Sequence, residues 1–430
     1  MAAIEDFKPS SQALATLLGR GYVEQVSAPE ALDAALAERP LTFYIGFDPT
    51  ASSIHAGHLV QLMTMRVLQQ AGHRPICLMG GGTARVGDPT GKSETRKLLD
   101  AEQIAANTAS MARVFGRFLN FDSSAPNAAK MVDNADWLLG LNYVEFLRDI
   151  GRHFTVNRMI AAKTYRERLE NEQALSFLEF NYQLLQAYDF LHLHRSEDVV
   201  LQCGGSDQWG NIIAGIELIR RVRHADGLEE KDDVFCLTTP LLTTSDGKKM
   251  GKTERGALFL DPDRVSPYDY YQYWINCDDR DVAKLMRLYT ELPLDEIEAI
   301  TAFEGRDLNP AKQKLAFEAT SMAHGPEDAR RAQAASNQAF GTGDDWSALP
   351  CIQLEESEIK LVDLVVHDLV KGFKSKREAR QRIESGAVRI DGEPVIDPMQ
   401  SITASNGGED GVHLQVGKKS RYRIAFGGAS

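Results

Sequence analysis

Apolar and polar positions along this chain follow two different rhythms. Up to about residue 245, short unbroken apolar runs alternate with amphipathic stretches. Leu41 to Phe47 and Pro75 to Met79 have the length and composition of buried strands, and Gly57 to Gln70 between them carries apolar residues at helical spacing. A strand, a crossover helix and a strand within that distance make a βαβ unit of a parallel sheet. Asp198 to Cys203 and Val234 to Leu237 are further strand candidates. The segment between, roughly 115–195, is mainly helical in pattern and reads as an insertion linking two halves of one sheet.

The rhythm then changes. Residues 262–342 are charged, rich in Leu and Ala and without strand pattern, which predicts a small helical bundle. A linker at 343–356 follows, in a stretch punctuated by Gly341, Gly343, Asp344 and Pro350. Residues 357–430 open with a helix signal and end in short strand candidates, Ala387 to Ile390 and Tyr422 to Phe426, with a turn at Asp391-Gly392. The predicted fold is therefore α/β. A Rossmann-like parallel-sheet domain over 1–261 carries the helical insertion, and an α-helical domain and a small α+β domain come after it.

Composition changes this picture in one place. With 43% hydrophobic and 25% charged residues, the chain has the make-up of an ordinary globular protein. No apolar run approaches the ~20 residues of a membrane span, and Met1 to Ser10 has neither a secretory nor a transit pattern, so a cytoplasmic protein without a membrane partner is expected. Five scattered cysteines without a C-x-x-C pair argue against a disulfide framework and a structural zinc site, and no metal ligands are predicted. The net charge of −13 disfavours nucleic acid only as an average. From Lys371 to Arg382 there are six basic residues (Lys371, Lys374, Lys376, Arg377, Arg380, Arg382) against a single acid, Glu378. A local basic patch on an acidic chain points to a module with its own partner.

Two constellations carry phosphate chemistry. The first is Tyr44-Ile-Gly-Phe-Asp48-Pro-Thr50 followed by His55-Ala-Gly-His58 at a helix start. Two imidazoles and open backbone N–H groups at a helix N-terminus can donate to phosphate oxygens, and Gly57 lets a nucleotide approach the backbone. A metal pair or two surface histidines are the alternatives. The second is Lys248-Lys249-Met250-Gly251-Lys252-Thr253. Alone it would be a solvated lysine turn. Beside the first, it supplies the ammonium groups that a departing pyrophosphate requires.

Three more motifs are suited to a small polar ligand. Tyr182, Gln186 and Asp189 fall on one helical face, flanked by Leu184, Leu185 and Phe190. Such a stripe is an odd surface and a costly core unless a ligand satisfies it. Gly204-Gly-Ser-Asp-Gln-Trp-Gly-Asn211 follows a strand directly, and Gly80-Gly-Gly with Gly87-Asp88-Pro-Thr-Gly-Lys92 follows another. Ligands bind at the carboxyl ends of strands in open α/β sheets.

The two signature motifs resemble the His-Ile-Gly-His and Lys-Met-Ser-Lys-Ser sequences of class I aminoacyl-tRNA synthetases. The departures at Ala56, Gly251 and Thr253 are similar to the tyrosyl branch, bacterial type, and the resemblance covers essentially the whole chain. It implies that Tyr44 and Asp189 bind the phenolic hydroxyl of L-tyrosine, that Tyr182, Gln186 and Asp88 hold its ammonium group, and that Gln208 lies near its carboxylate. It places Gly205 and Asp207 on the ATP ribose, Gly46 and Asp48 on the floor, and Gly57, Thr50, His55 and His58 at the phosphates. Lys92, Arg96, Lys249, Lys252 and Thr253 then surround the departing pyrophosphate. ATP is implied as a substrate, with Mg²⁺ and without a prosthetic group. The segment from Phe373 to Gly392 resembles a small RNA-binding module of the ribosomal-protein type, so Lys374, Lys376, Arg377 and Arg380 are expected to meet tRNA(Tyr). A homodimer joined through the insertion is also implied. Two rivals stay open from sequence: a tryptophanyl enzyme of the same class, and a catalytically retired RNA-binding homologue.

Overall fold

The computed structural model describes every residue except 1–6, 51–52, 91–99, 229–232, 246, 248–249, 251, 254–255, 341–350, 371, 408–410, 418–419 and 428–430. Its first unit comprises residues 1–252, 257–261 and 278–308, and its second comprises 253–256, 262–277 and 309–430.

The first unit is organised by a six-stranded sheet. Its strands are β1 (Gln25–Val26), β2 (Thr42–Phe47), β3 (Arg74–Met79), β4 (Lys130–Asp133), β5 (Val199–Gly205) and β6 (Phe235–Thr239), arranged in the order β1-β6-β5-β2-β3-β4. All neighbours are parallel except β1, which runs antiparallel to β6 along Gln25–Thr238 and Val26–Leu237. β5 reads as a continuous apolar run because it is buried along its whole length, as a central parallel strand must be. The chain winds outward from β2 to β3 and β4, then returns to the other side of β2 for β5 and β6. The order therefore reverses between β2 and β5, which opens a crevice at their carboxyl ends.

The strands predicted for this sheet shift by one or two residues at their ends. One element was hidden by its composition: β4 lies inside the stretch read as a helical insertion. Its four residues, Lys130-Met-Val-Asp, carry charge at both ends and give no alternation, yet they pair with Ile76 to Met79 of β3. The remainder of 115–195 is mainly helical, as its pattern indicates, with a loop at 119–129 before β4.

Helices Tyr182–Glu197 and Trp209–Ala225 pack against each other beside β5. Phe190, Leu191, Ile212, Ile216 and Ile219 form the apolar layer with Tyr44 and Ile76 from the sheet. The two helices approach closely because residue 215 is glycine. A Cβ there would sit 3.0 Å from Cδ1 and 3.1 Å from Cβ of Phe190.

Residues 278–308, expected within the helical bundle of 262–342, belong instead to the first unit and run back across it. Helix Val282–Tyr289 is tied to the N-terminal segment by Arg20, which donates to the carbonyls of Arg287, Thr290 and Leu292 at 2.7–3.0 Å, and by the Tyr22 hydroxyl, which donates to Leu288 O.

In the second unit, helices Pro267–Ile275, Asn309–His324 and Pro326–Phe340 pack together. The C-terminal part is a five-stranded sheet with a two-stranded one. Asp391 and Gly392, both at positive φ (46° and 86°), turn Val388–Ile390 into Glu393–Val395. Two corrections apply here. The stretch read as a linker holds a strand, Cys351–Leu354, which pairs parallel with Ser420–Phe426. The last region opens not with a helix but with strand Glu358–Lys360, which leads into helix Leu361–Leu364.

The close helix approach makes a stability prediction. Gly215→Val should destabilise the protein by about 1–3 kcal/mol, because the added methyls meet Phe190 in a filled layer. Urea unfolding measures this, and a variant as stable as the parent would contradict the contact.

Candidate active site

The crevice at the β2–β5 reversal contains a cavity of about 270 Å³. Its walls are Tyr44, Gly46 and Asp48 from the end of β2, Gly80, Thr83 and Asp88 after β3, Asn134 after β4, and Gln202, Gly204 and Gly205 from β5. Tyr182, Gln186 and Asp189 enter from one helix, and His58, Asp207, Gln208 and Leu241 complete the rim. The polar stripe read from sequence on residues 182–189 thus faces this cavity.

At one end lies Asp189, 2% exposed. Its carboxylate accepts from Asn134 Nδ2 at 2.9 Å and from Trp137 Nε1 at 2.8 Å, and both donors are neutral. Asn134 is itself fixed, with its Oδ1 accepting the Gly82 N–H at 2.8 Å and its Nδ2 reaching Thr83 Oγ1 at 3.0 Å. Trp137 stacks on His192 with ring centroids 4.3 Å apart. Nearby, the Tyr44 hydroxyl is buried without a hydrogen-bond partner, as are Gln186 Oε1 and Gln202 Oε1. Buried polar atoms in native proteins are almost always bonded, so three such atoms facing one cavity mark a ligand site.

Toward the middle, Asp48 accepts from the Tyr182 hydroxyl at 3.0 Å and from Thr83 Oγ1 at 2.9 Å. Gly80 makes room for it, since a Cβ there would fall 2.0 Å from Asp48 Oδ1. Asp88 accepts from Gln208 Nε2 at 2.8 Å and from the Thr90 N–H at 2.9 Å. Carboxylates and an amide oxygen converge here, a setting suited to an ammonium group.

The first signature motif forms a tight turn, Ala56–His58, ahead of helix Leu59–Gln70. His55 Nδ1 accepts the Gly57 N–H at 3.0 Å, His58 Nδ1 accepts the His55 N–H at 3.5 Å, and the two rings lie 3.9 Å apart. With Nδ1 accepting, the proton of each neutral ring sits on Nε2, which becomes a donor. Burial, and then the neighbouring His55, push the pKa of His58 down to about 3, so it is neutral at physiological pH. The second motif meets the first at Gly57, where a Cβ would lie 3.2 Å from the Met250 carbonyl oxygen. Thr50 is exposed at the end of β2, with its N–H on Asp48 O at 2.7 Å.

Lys92, Arg96 and Lys249 lie outside the described residues, and Lys252–Thr253 is described only as a two-residue strand. In the C-terminal part, Lys374 precedes helix Lys376–Glu384, whose exposed side carries Lys376, Arg377 and Arg380 while Ala379 and Ile383 are buried. Lys376 pairs with Asp363 at 2.7 Å.

A family model described as class I tRNA synthetases (W and Y) matches residues 36–341. One described as the tyrosine–tRNA ligase SYY-like C-terminal domain matches residues 343–424. The chain is 50% identical over 419 residues to the tyrosine–tRNA ligase of Zymomonas mobilis subsp. mobilis, with 97% of this chain and 99% of that protein covered. It is 52% identical over 389 residues to that of Novosphingobium aromaticivorans, with 90% and 92% covered. The chain belongs to the tyrosine–tRNA ligase family. Among solved structures, a C-terminally truncated mitochondrial tyrosyl-tRNA synthetase of Coccidioides posadasii superposes with a TM-score of 0.67 at 30% identity, covering 77% of this chain and 93% of that one. Membership in the tyrosine–tRNA ligase family sets aside the tryptophanyl rival and the retired homologue.

Sequence reading missed Asn134, Trp137, Thr83 and Gln202 in this ligase. The first two follow β4 as the Gly-rich motifs follow β3 and β5, but a four-residue strand gives no signal to hang them on. Gln202 lies mid-strand in an apolar run, where only the geometry shows which way it points.

The electrostatics of Asp189 follow from its place. Its pKa is raised to about 7: burial raises it most, the Asn134 and Trp137 hydrogen bonds pull it back, and Asp48 and Asp133 push it up. Tyr44 and Tyr182 stay protonated, because burial raises both and a carboxylate lies beside each. A phenol donates more strongly to a carboxylate than to a carboxylic acid. With Asp189 as the proposed acceptor of the substrate's phenol, tyrosine affinity should rise with pH through about 7, where Asp189 ionises, and level off above. Below that point it should fall by about tenfold in all, the equivalent of one pKa unit. Asp189→Asn should abolish the pH step. Calorimetric titration between pH 6 and 8.5 checks this, and a flat profile in the parent enzyme would contradict it.

Proposed function

We propose that the cavity binds L-tyrosine lengthwise, with its hydroxyl between Asp189 and Tyr44 and its ammonium group at Gln186, Asp88 and Tyr182. Gln208 lies beside its carboxylate. ATP approaches over Gly46, Asp48, Gly57, Gly205 and Asp207, with its phosphates at Thr50, His55 and His58. Mg²⁺ enters as part of the nucleotide complex. The observation that carries this reading is the convergence of Asp189 with the unpartnered Tyr44 hydroxyl and Gln186 Oε1 on one buried cavity.

The chemistry needs no protein nucleophile. The tyrosine carboxylate is an anion at neutral pH and attacks the α-phosphorus. An oxygen–phosphorus bond forms, the α–β bridge breaks, and pyrophosphate departs with its charge on Lys92, Arg96, Lys249, Lys252 and Thr253. Catalysis is then positioning together with charge neutralisation. His55 and His58 suit it as Nε2–H donors, and His58 is held neutral by burial. A ribose hydroxyl at the tRNA 3′ end next attacks the mixed-anhydride carbonyl, and AMP leaves.

The functional division follows the sequence boundaries except at 278–308, which pack within the first unit. Residues 1–261 carry the activation chemistry, 262–342 serve the anticodon region of the tRNA, and 357–430 bind RNA through Lys374, Lys376, Arg377 and Arg380. The enzyme works as a homodimer in the cytoplasm. Tyr143, Val144 and Phe177, which are 59%, 72% and 69% exposed, give the insertion an apolar surface suited to a second subunit. Among the described residues, no helix is long and apolar enough to cross a membrane.

Amino-acid-dependent ATP–pyrophosphate exchange tests the assignment. Tyrosine should support it and phenylalanine should fail by a factor of about 10⁵, the discrimination known for tyrosyl enzymes, whose buried polar groups go unpaired with the wrong substrate. Asp189→Ala should remove exchange with tyrosine, and unchanged kinetics in that variant would sink the pocket assignment.

Ending the chain after Gly343 should leave tyrosyl-adenylate formation close to intact and abolish efficient tRNA charging. In the full chain, neutralising Lys374, Lys376, Arg377 and Arg380 should flatten the salt dependence of tRNA binding. The slope should fall by roughly 0.7–0.9 for each phosphate that the helix no longer neutralises. An unchanged slope in filter-binding titrations would refute the RNA role of this helix.

A further inference from the structure

The second signature motif follows Ser245, which is anchored to a part of the chain that does not line the cavity. Asp281, 6% exposed, accepts from the Ser245 N–H with both carboxylate oxygens (3.1 and 3.0 Å) and from Ser245 Oγ at 3.0 Å. Lys284 Nζ, one turn further on, donates to Thr243 O at 3.2 Å. Beyond Ser245 the backbone closes on itself through Gly247 N–H to Thr244 O (2.8 Å) and Met250 N–H to Leu242 O (2.9 Å). That places the Met250 carbonyl against Gly57 of the first signature motif.

The other end of the same element grips the helix that follows the first motif. Asp281 opens into helix Val282–Tyr289, and just beyond it Glu291 takes both Arg66 Nε at 2.7 Å and Arg66 Nη2 at 3.0 Å. Arg66 belongs to helix Leu59–Gln70, which starts at His58. One short helix thus spans from the base of the lysine segment to the helix of the histidine motif. Its own register is fixed by Arg20 and Tyr22.

We propose that Asp281 is a positioning residue for amino acid activation: by holding Ser245 it sets how the turn from Leu242 to Met250 meets Gly57, between His55 and His58. The proposal rests on reading Lys249 and Lys252 as the groups that stabilise departing pyrophosphate. Asp281 touches no substrate, so its removal should leave tyrosine affinity alone and act on the chemical step. A displacement of about 1 Å in a charged group can cost up to roughly 100-fold in rate.

The test is the single-turnover rate of tyrosyl-adenylate formation in the full chain, beside tyrosine affinity and thermal unfolding. Asp281→Ala should slow the step by roughly 10–100-fold with tyrosine affinity within about twofold. Asp281→Glu should recover part of the loss. Ser245→Ala, which keeps the backbone N–H, should lose less, and the double variant should be no slower than Asp281→Ala alone. If Asp281→Ala folds poorly, Ser245→Ala with Lys284→Met carries the test, and parental rates in that pair would overturn the proposal. Lys252→Ala separates the two ideas. If Lys252→Ala is slow while Asp281→Ala turns over at the parental rate, the positioning role is wrong and the lysine reading stands. If Lys252→Ala itself turns over normally, the lysine reading fails and the proposal falls with it. Loss of tyrosine affinity in proportion to rate in Asp281→Ala would also overturn it, since that is the mark of general damage.

Discussion

A buried carboxylate with no cation beside it among the described residues is the constraint on which this site depends. In the proposed reading Asp189 selects tyrosine by offering it a buried hydrogen-bond acceptor, and burial is what an ionised carboxylate resists. Two neutral donors, Asn134 and Trp137, hold it. They can do so only because β4 extends the sheet by one strand and delivers Asn134 to the cavity wall and Trp137 to the Asp189 carboxylate. The Gly82 N–H fixes Asn134, and His192 packs on Trp137. The edge of the sheet, the turn after β3 and the outer face of the 182–197 helix all serve one carboxylate. The cost left over appears as its raised pKa, and the proposal is that the substrate's phenol offsets it.

The rest of the chemistry is geometry. The β2–β5 reversal opens the crevice, Gly80 makes room for Asp48, and Gly57 lets two motifs some 190 residues apart in sequence touch backbone to side. None of the described groups needs to act as a nucleophile or to lose a proton. An enzyme that works by holding charges in place depends on the rigidity of what holds them. That is why the ties at Arg20, Arg66 and Asp281, remote from the ligand, belong to the same mechanism.

Much of this was legible in the sequence, for definable reasons. The parallel sheet announced itself through apolar runs at βαβ spacing. Tyr182, Gln186 and Asp189 stood out because three polar residues on one stripe of an apolar helix contradict both a surface and a core. What the sequence hid was short or non-local. Lys130–Asp133 is too brief and too charged at its ends to look like a strand. Cys351–Leu354 is masked by Pro350 before it and Glu355-Glu356 after it. The Asp281–Ser245 contact joins residues 36 apart through side-chain chemistry that no periodicity encodes. The Gln202 side chain is a single polar break in an apolar strand, and only the sheet's facing decides its role.

The most direct measurement of the central claim is the ionisation of Asp189 itself, followed by ¹³C carboxyl resonances in the aspartate-labelled enzyme and assigned with Asp189→Asn. In the unliganded protein the resonance should titrate near 7. Bound tyrosine should move that midpoint down by about one unit, equivalent to ~1.4 kcal/mol of preference for the carboxylate, while phenylalanine should not lower it. A midpoint that stays in place or rises when tyrosine binds would mean that the buried carboxylate is not what the substrate hydroxyl answers.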